Sequence, residues 1–159
     1  MKAWLTAAVL LVAAGAARGA EIDVDDAWAR ASLGAVPNSA AYMTIRSDGP
    51  DRLTGASSPA AKRVELHTTT MHAGVSQMRR LQAVEVGPGS PAVLQPGGMH
   101  LMLLGLTGRL EEGDAIRLDL EFEQAGTVAV EVPVRGLRAG GGSGHGSGGH
   151  GSGGHGSGG

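Results

Sequence analysis

Cysteine is absent from all 159 residues of the chain. Without it the chain can form no disulfide, bind no metal through thiolate and use no cysteine nucleophile. A blue-copper electron-transfer site is excluded as well, because it needs one thiolate ligand. A lipid anchor at a signal-cleavage point would also require a cysteine. Hydrophobic burial alone must therefore hold the folded domain together.

Aromatic residues and surplus positive charge are also scarce. The chain has two tryptophans, one tyrosine and one phenylalanine, and its formal net charge is −2. A nucleic-acid-binding domain would carry a basic patch, so no nucleic-acid partner is expected. Beyond the N-terminal region no stretch keeps a helical period, which argues against a helical domain.

The one long apolar run lies at the N-terminus. A short positive start, Met1-Lys2, precedes the apolar residues 3–17, and small residues follow as far as Ala20. This pattern predicts a secretory signal peptide over residues 1–20, and the run is too short to span a bilayer. We expect a soluble mature chain, exported to the bacterial periplasm. Removal of the leader leaves 11 basic and 15 acidic residues, a formal charge of −4.

Residues 21–138 are long enough for one modest domain, and their pattern indicates β structure. In "AIRLDLEF" (115–122) and "TVAVEVPV" (127–134) apolar residues alternate with polar or smaller ones, which is typical of half-buried strands. The turn at 124–126 predicts that the two strands form a hairpin. Pro133 lacks an amide donor, so its strand should end there or lie at an edge.

Further strand candidates are separated by short turns rich in Gly and Pro. They are "AAYMTIRS", "KRVELHTTT", "VSQMRRLQAVEV" and "MHLMLLGL". Several short strands of this kind predict an all-β antiparallel sandwich or small barrel.

The C-terminal segment, residues 139–159, differs in composition from the rest. From Gly140 onward only Gly, Ser and His occur, and His145, His150 and His155 recur at a spacing of five. Such a segment is expected to be disordered. Its three imidazoles suit a borderline ion such as Cu(II), and a Gly/Ser chain from Arg138 to His145 spans about 15 Å. We expect either a Cu(II)-collecting tail or a solubilising terminus.

The stretch "HTTTMHAGVSQM" places His67 and Met78 at its ends. A four-residue hairpin loop over 71–74 would put His67 directly opposite Met78, close enough to share an ion. A two-residue turn at 73–74 would instead put His67 opposite Arg80 and break that pair. Met71 and His72 lie in the turn region and are candidate auxiliary ligands.

A second cluster of the same chemistry lies in "GGMHLMLLGL". On a strand, His100 and Met102 share one face. Thioether sulfur is soft and uncharged, so two His and two Met side chains together favour Cu(I) over Zn²⁺, Ca²⁺ or Mg²⁺. Met43 and Met99 share faces with aliphatic residues and are expected to be core residues.

The spacing of these four residues resembles that of a known family. His67, ten intervening residues, Met78, twenty-one intervening residues and His100-x-Met102 match the metal-binding pattern of the periplasmic PCuAC copper chaperones. The segments "NSAAYMTI", "LTGASSPAAKRVELH" and "LQPGGMHLMLLGL" are similar to that family too. The resemblance implies a cupredoxin-like β fold of Greek-key character and Cu(I) bound by the four side chains. It also implies copper delivery toward the CuA centre of cytochrome c oxidase, to its CuA subunit or through another periplasmic copper chaperone.

A carrier is expected here, not an enzyme, because four protein ligands leave no open metal position for a substrate. Two alternatives use the same residues. One is a periplasmic copper storage or resistance protein with no oxidase acceptor, and the other is a β interaction domain whose His and Met residues are incidental.

Overall fold

The computed structural model describes residues 19–136, in which ten strands and no helix occur. The predicted tail and all but the last two residues of the predicted signal peptide lie outside this range. The strands are β1 (Ile22–Arg30), β2 (Asn38–Ser47), β3 (Asp51–Ser57), β4 (Ala61–His72), β5 (Val75–Arg80), β6 (Val84–Val86), β7 (Ala92–Leu94), β8 (Met99–Leu106), β9 (Ala115–Phe122) and β10 (Gly126–Arg135).

Eight of these strands close into a barrel. The order runs β4-β8-β7-β2-β1-β10-β9-β3, and a pairing of β3 with β4 at Ala56 and Val64 closes the ring. Two further strands pair outside this ring, β5 with β4 and β6 with β3. Most pairs are antiparallel, whereas β1–β10 and β7–β8 are parallel. The predicted all-β, cupredoxin-like class is confirmed.

The barrel interior is filled by the apolar residues that alternate along the strands. The largest side chains with less than 2% exposure are Met43, Ile45, Leu53, Leu101, Leu103, Leu118, Leu120 and Val132. Burying one such side chain contributes about 1.5–3 kcal/mol. The core assignment of Met43 is confirmed, and Met99 packs against the same core.

The hairpin predicted near the C-terminus is also confirmed. Strands β9 and β10 pair from Gly126 opposite Phe122 to Pro133 opposite Ala115. The expectation that the strand ends or lies at an edge at Pro133 is wrong, since β10 continues to Arg135 and lies between β9 and β1. Val134 donates its N–H to the carbonyl of Asp114, on the β9 side of the strand. The nitrogen of Pro133 therefore faces β1, where pairing begins only at Val134.

Candidate metal centre

The hairpin of β4 and β5 turns through two residues, Ala73 and Gly74. Their φ angles are +49° and +78°, as a type I′ turn requires. His67 therefore pairs with Arg80, and Thr69 pairs with Met78. The register expected from a four-residue loop is wrong, because this tighter turn shifts the pairing by two residues.

The two-residue shift does not move Met78 to the other side of the sheet. Side chains alternate with a period of two, so Met78 stays on the face that carries His67 and Thr69. It lies diagonally from His67, and diagonal neighbours are about 7–8 Å apart. The direct pair is lost, but the two side chains still share one face.

The neighbouring pairing of β4 with β8 adds the other two predicted residues. His67 lies opposite His100, and Glu65 lies opposite Met102. The ring centroids of the two histidines are 5.9 Å apart. The side chains of His67, Met78, His100 and Met102 thus occupy one face of three adjacent strands, opposite the face that packs into the core.

A cavity of about 430 Å³ opens on this face. Met78, His100 and Met102 line it, together with Tyr42 and Arg30. His67 lies beside the cavity, with its ring turned toward Glu65. The structure thus brings three predicted ligands to one cavity and places the fourth next to it.

His100 is nearly buried and oriented by the backbone. It is 5% exposed, and its Nδ1 lies 3.1 Å from the carbonyl oxygen of Gly98. Burial lowers the pKa of His100, and the nearby His67 and Arg30 lower it further, against the opposing effect of the Gly98 carbonyl. The ring is therefore held neutral with Nε2 as its remaining donor atom, which is the form that binds a metal.

His67 is oriented by a carboxylate on its own strand. Its Nε2 lies 3.0 Å from Oε2 of Glu65. The hydrogen bond from His67 lowers the pKa of Glu65, and Arg80 and Arg63 lower it further against the effect of burial. The Nδ1 atom of His67 is buried and has no hydrogen-bond partner within residues 19–136. A bound metal would satisfy this atom, as in sites where a carboxylate fixes the other ring nitrogen of a ligating histidine.

The sequence interpretation missed the groups around the four predicted residues. Tyr42 packs against Trp28 and lies 6.4 Å from His100 between ring centroids, and Arg30 lies 5.8 Å from the Tyr42 ring. Burial raises the pKa of Tyr42, although Arg30 opposes this shift. Only Glu65 left a signal in the sequence, since Glu65-x-His67 on a strand puts both side chains on one face.

The candidate auxiliary ligands in the hairpin are separated from each other. Met71 is 69% exposed and shares the face of His67, four residues further along β4. His72 alternates with it and lies on the opposite face. The tail histidines His145, His150 and His155 lie outside the described residues.

The donor set of the site is unusual for a protein metal site. Nowhere in residues 19–136 do three His, Cys, Asp or Glu side chains gather at metal-binding distances. The four predicted ligands are instead two imidazoles and two thioethers, a set that would suit a soft monovalent ion. In the same residues, no helix is long and apolar enough to cross a membrane.

Solved structures place this fold in a defined class. The copper-bound PCuAC domain from PmoF2 matches with a TM-score of 0.63 and 28% identity, over 74% of this chain and 95% of that domain. The Cu(I) form of DR1885 from Deinococcus radiodurans matches with a TM-score of 0.57 and 29% identity, over 77% of this chain and 83% of that one. The apo form of DR1885 matches at the same TM-score and identity, over 86% of this chain and 94% of that one. The molecule is therefore a cupredoxin-like domain of the PCuAC type.

Sequence comparison gives the family itself. The profile described as "Putative lipoprotein LpqE-like" matches residues 22–134. The "Putative lipoprotein Lxx21020" of Leifsonia xyli subsp. xyli is 34% identical over 117 residues, which make up 72% of this chain and 69% of that protein. The chain belongs to the LpqE-like family, and the predicted PCuAC relationship is confirmed.

Proposed function

We propose that this protein is a copper carrier that holds one Cu(I) ion through His67, Met78, His100 and Met102. The observation that carries the proposal is the placement of these four side chains on one face of β5, β4 and β8. Two of the similar structures are described as copper-bound or Cu(I)-bound, which supports the choice of metal.

The chemistry of the donors supports Cu(I) in particular. Thioether sulfur binds soft ions and carries no charge. With two thioethers and two neutral imidazoles as ligands, the site would carry only the single positive charge of the ion. His100 is buried, and Nδ1 of His67 has no hydrogen-bond partner among the described residues, so each ring could supply one nitrogen donor. The half-exposed Met78 leaves the site open on one side, so that an acceptor's ligands can replace those of the carrier one at a time.

The proposed destination of the copper is the CuA centre of cytochrome c oxidase, reached directly or through another periplasmic copper chaperone. The type of domain supports a carrier over a catalyst, because a four-coordinate ion held by protein side chains offers no position for a substrate. Transfer from the Cu(I)-loaded chain to an apo CuA domain distinguishes this role from copper storage.

We also propose export to the periplasm. The Leifsonia relative is named a lipoprotein, which supports export. The N-terminal pattern of the present chain favours a secretory signal over a membrane span.

The tail is proposed to collect Cu(II) beside the site. The last described residue, Gly136, follows Arg135, and Arg135 pairs with Arg30 at the wall of the cavity. His145 is nine residues beyond Gly136, a reach of about 15–18 Å for a Gly/Ser chain. The described part of the chain therefore ends beside the wall of the cavity that three of the predicted donors line.

An anaerobic titration with Cu(I) in the presence of a competing chelator tests the central proposal. We expect one tightly held ion per chain. A chain that gives up all its Cu(I) to a weak chelator would refute the proposed function.

A further inference from the structure

Three of the six large apolar side chains that are exposed in residues 19–136 border the proposed metal cavity. Leu33, Val36 and Met78 all line it, and they are 56%, 51% and 54% exposed. Single exposed hydrophobic residues are normal, but a contiguous group around a cavity marks an interaction surface.

The loop that carries two of these side chains is held in place at both ends. Ser32 donates its N–H to the carbonyl of Leu110, and the carbonyl of Pro37 accepts the N–H of Leu106. Within the loop, Val36 donates to Leu33 at 2.8 Å. The apolar side chains are therefore presented to solvent by a fixed loop.

Arg30 puts a positive charge in the same cavity. Its guanidinium packs over Tyr42, and its Nε is buried without a hydrogen-bond partner in the described part of the chain. In residues 19–136 no carboxylate oxygen lies within 4.0 Å of the Arg30 side-chain nitrogens, whereas Arg46, Arg52 and Arg117 each have at least one such neighbour. An arginine fork with no counter-ion matches a carboxylate from outside the chain.

We propose that this rim is the docking surface for a copper-accepting protein that presents a carboxylate among apolar side chains. The partner's apolar residues cover Leu33, Val36 and Met78, and its carboxylate pairs with Arg30. The inference rests on the proposed function, because it places the acceptor's own ligands next to the copper donors.

Other occupants fit this surface less well. A second copy related by a two-fold axis would bring Arg30 of one chain toward Arg30 of the other, which is repulsive. The chain's own tail has only Gly, Ser and His beyond Ala139, so it offers neither an apolar side chain nor an acidic one.

The test uses the full chain loaded with Cu(I) and the apo CuA domain of cytochrome c oxidase as the probe. Association is measured at low and high salt for wild type, for Arg30→Glu and for the double variant Leu33→Ser with Val36→Ser. Lys62→Glu is the matched control for charge reversal. Lys62 lies at the start of β4, about 16 Å from His67 at 3.3 Å per residue, and forms no ion pair within residues 19–136.

We expect Arg30→Glu and the double variant each to weaken association at least about tenfold, and Lys62→Glu to leave it within about twofold. The loss of association caused by Arg30→Glu should be smaller at high salt. It should also be recovered when one carboxylate at the copper end of the probe is changed to lysine. Cu(I) stoichiometry, measured in every variant, should stay at one.

Three results would overturn the inference while leaving Cu(I) binding intact. The first is wild-type association that neither variant changes, and the second is no association of the loaded wild type with the probe. The third is a dimer of the loaded chain that the double variant Leu33→Ser with Val36→Ser dissociates. Failure of wild type to bind Cu(I) would instead refute the proposed function on which the inference rests.

Discussion

His67 and His100 lie directly opposite each other on β4 and β8, with their ring centroids 5.9 Å apart. The chain between them includes the end of β4 and the whole of β5, β6 and β7. Each ring has one nitrogen occupied, by Glu65 in one case and by the Gly98 carbonyl in the other. The pair thus offers one nitrogen from each ring on the face where Met78 and Met102 lie.

Removal of both thioethers should abolish Cu(I) binding. In the double variant Met78→Ala with Met102→Ala, only two nitrogen donors remain, and the soft ion loses its preferred ligands. We expect loss of stoichiometric Cu(I) in the anaerobic chelator titration, with an unchanged far-UV circular dichroism spectrum.

The matched control removes two other thioethers. Met43→Leu with Met99→Leu replaces residues packed in or against the core, at a cost of less than about 1.5 kcal/mol each. This variant should bind one Cu(I). Retention of Cu(I) by the first variant would show that the site is elsewhere.

The carboxylate of Glu65 should tune the affinity of the site. Glu65→Ala removes the hydrogen bond that orients His67, and loss of such a partner typically lowers metal affinity about 10–100-fold. Glu65→Gln keeps an acceptor oxygen and should stay close to wild type. Competition titrations of the two variants measure the difference, and equal affinities would mean that Glu65 does not position the ring.

The hairpin turn should respond oppositely to two substitutions. Ala73 adopts a left-handed conformation that asparagine tolerates better, so Ala73→Asn should stabilise the fold by about 0.5–1 kcal/mol. Gly74 lies at φ +78° with open space around it, so Gly74→Ala should cost about 1–2 kcal/mol through backbone strain alone. Urea unfolding midpoints provide the measurement. The same sign for both substitutions would contradict a type I′ turn.

Asp51 should make the fold sensitive to acid. Burial raises its pKa, but backbone N–H groups of Gln124, Arg52 and Ala125 outweigh burial, and the net pKa is lowered. Its stabilising contribution is therefore complete above the unfolded-state value of about 3.9 and is lost as pH falls through the lower folded value.

In Asp51→Asn, an NH₂ group replaces one carboxylate oxygen and faces a backbone N–H that this oxygen accepts in the wild type. The variant should therefore lose this stabilising contribution. We expect a loss of about 1–3 kcal/mol near neutral pH. The difference from wild type should narrow as pH falls below about 3.9. A difference in urea stability that stays constant over this range would argue against the lowered pKa.

Truncation after Arg138 separates the two proposed copper functions. The shortened chain lacks His145, His150 and His155, so it should bind less Cu(II) while keeping its single Cu(I). Parallel Cu(II) and Cu(I) titrations measure both. Unchanged Cu(II) stoichiometry would leave the tail without a role in copper collection.

The sequence predicted strands best where apolar residues alternate strictly. In β9 every second side chain from Ile116 to Phe122 is buried, and β8 begins and ends at the predicted residues. Strand β1 carries Asp23, Asp25 and Asp26 and is interrupted by a bulge, so its pattern did not predict a strand. Strand β7 has only three residues, too few to show a period.

The candidate site was predicted in composition but not in geometry. Residue type and spacing led to the prediction of His67, Met78, His100 and Met102 as ligands, and the strand pattern placed His100 with Met102 on one face. It did not decide between a two-residue and a four-residue turn, because Ala73 gives no sign that it adopts a positive φ. It also gave no signal for Arg30 and Tyr42, which come from strands on the other side of β8.

The sequence by itself determined which chemistry is available to this protein. It has no thiolate, it offers two imidazoles and two thioethers at fixed spacings, and its alternating strands must bury one face. These are properties of residue type and of the two-residue period of a strand. Only the tertiary structure decided that His67 faces His100, that Met78 lies diagonally from His67, and that Arg30 and an apolar loop border the same cavity. Such contacts join residues far apart in the chain, and they are set by strand register and barrel closure, which no local pattern specifies.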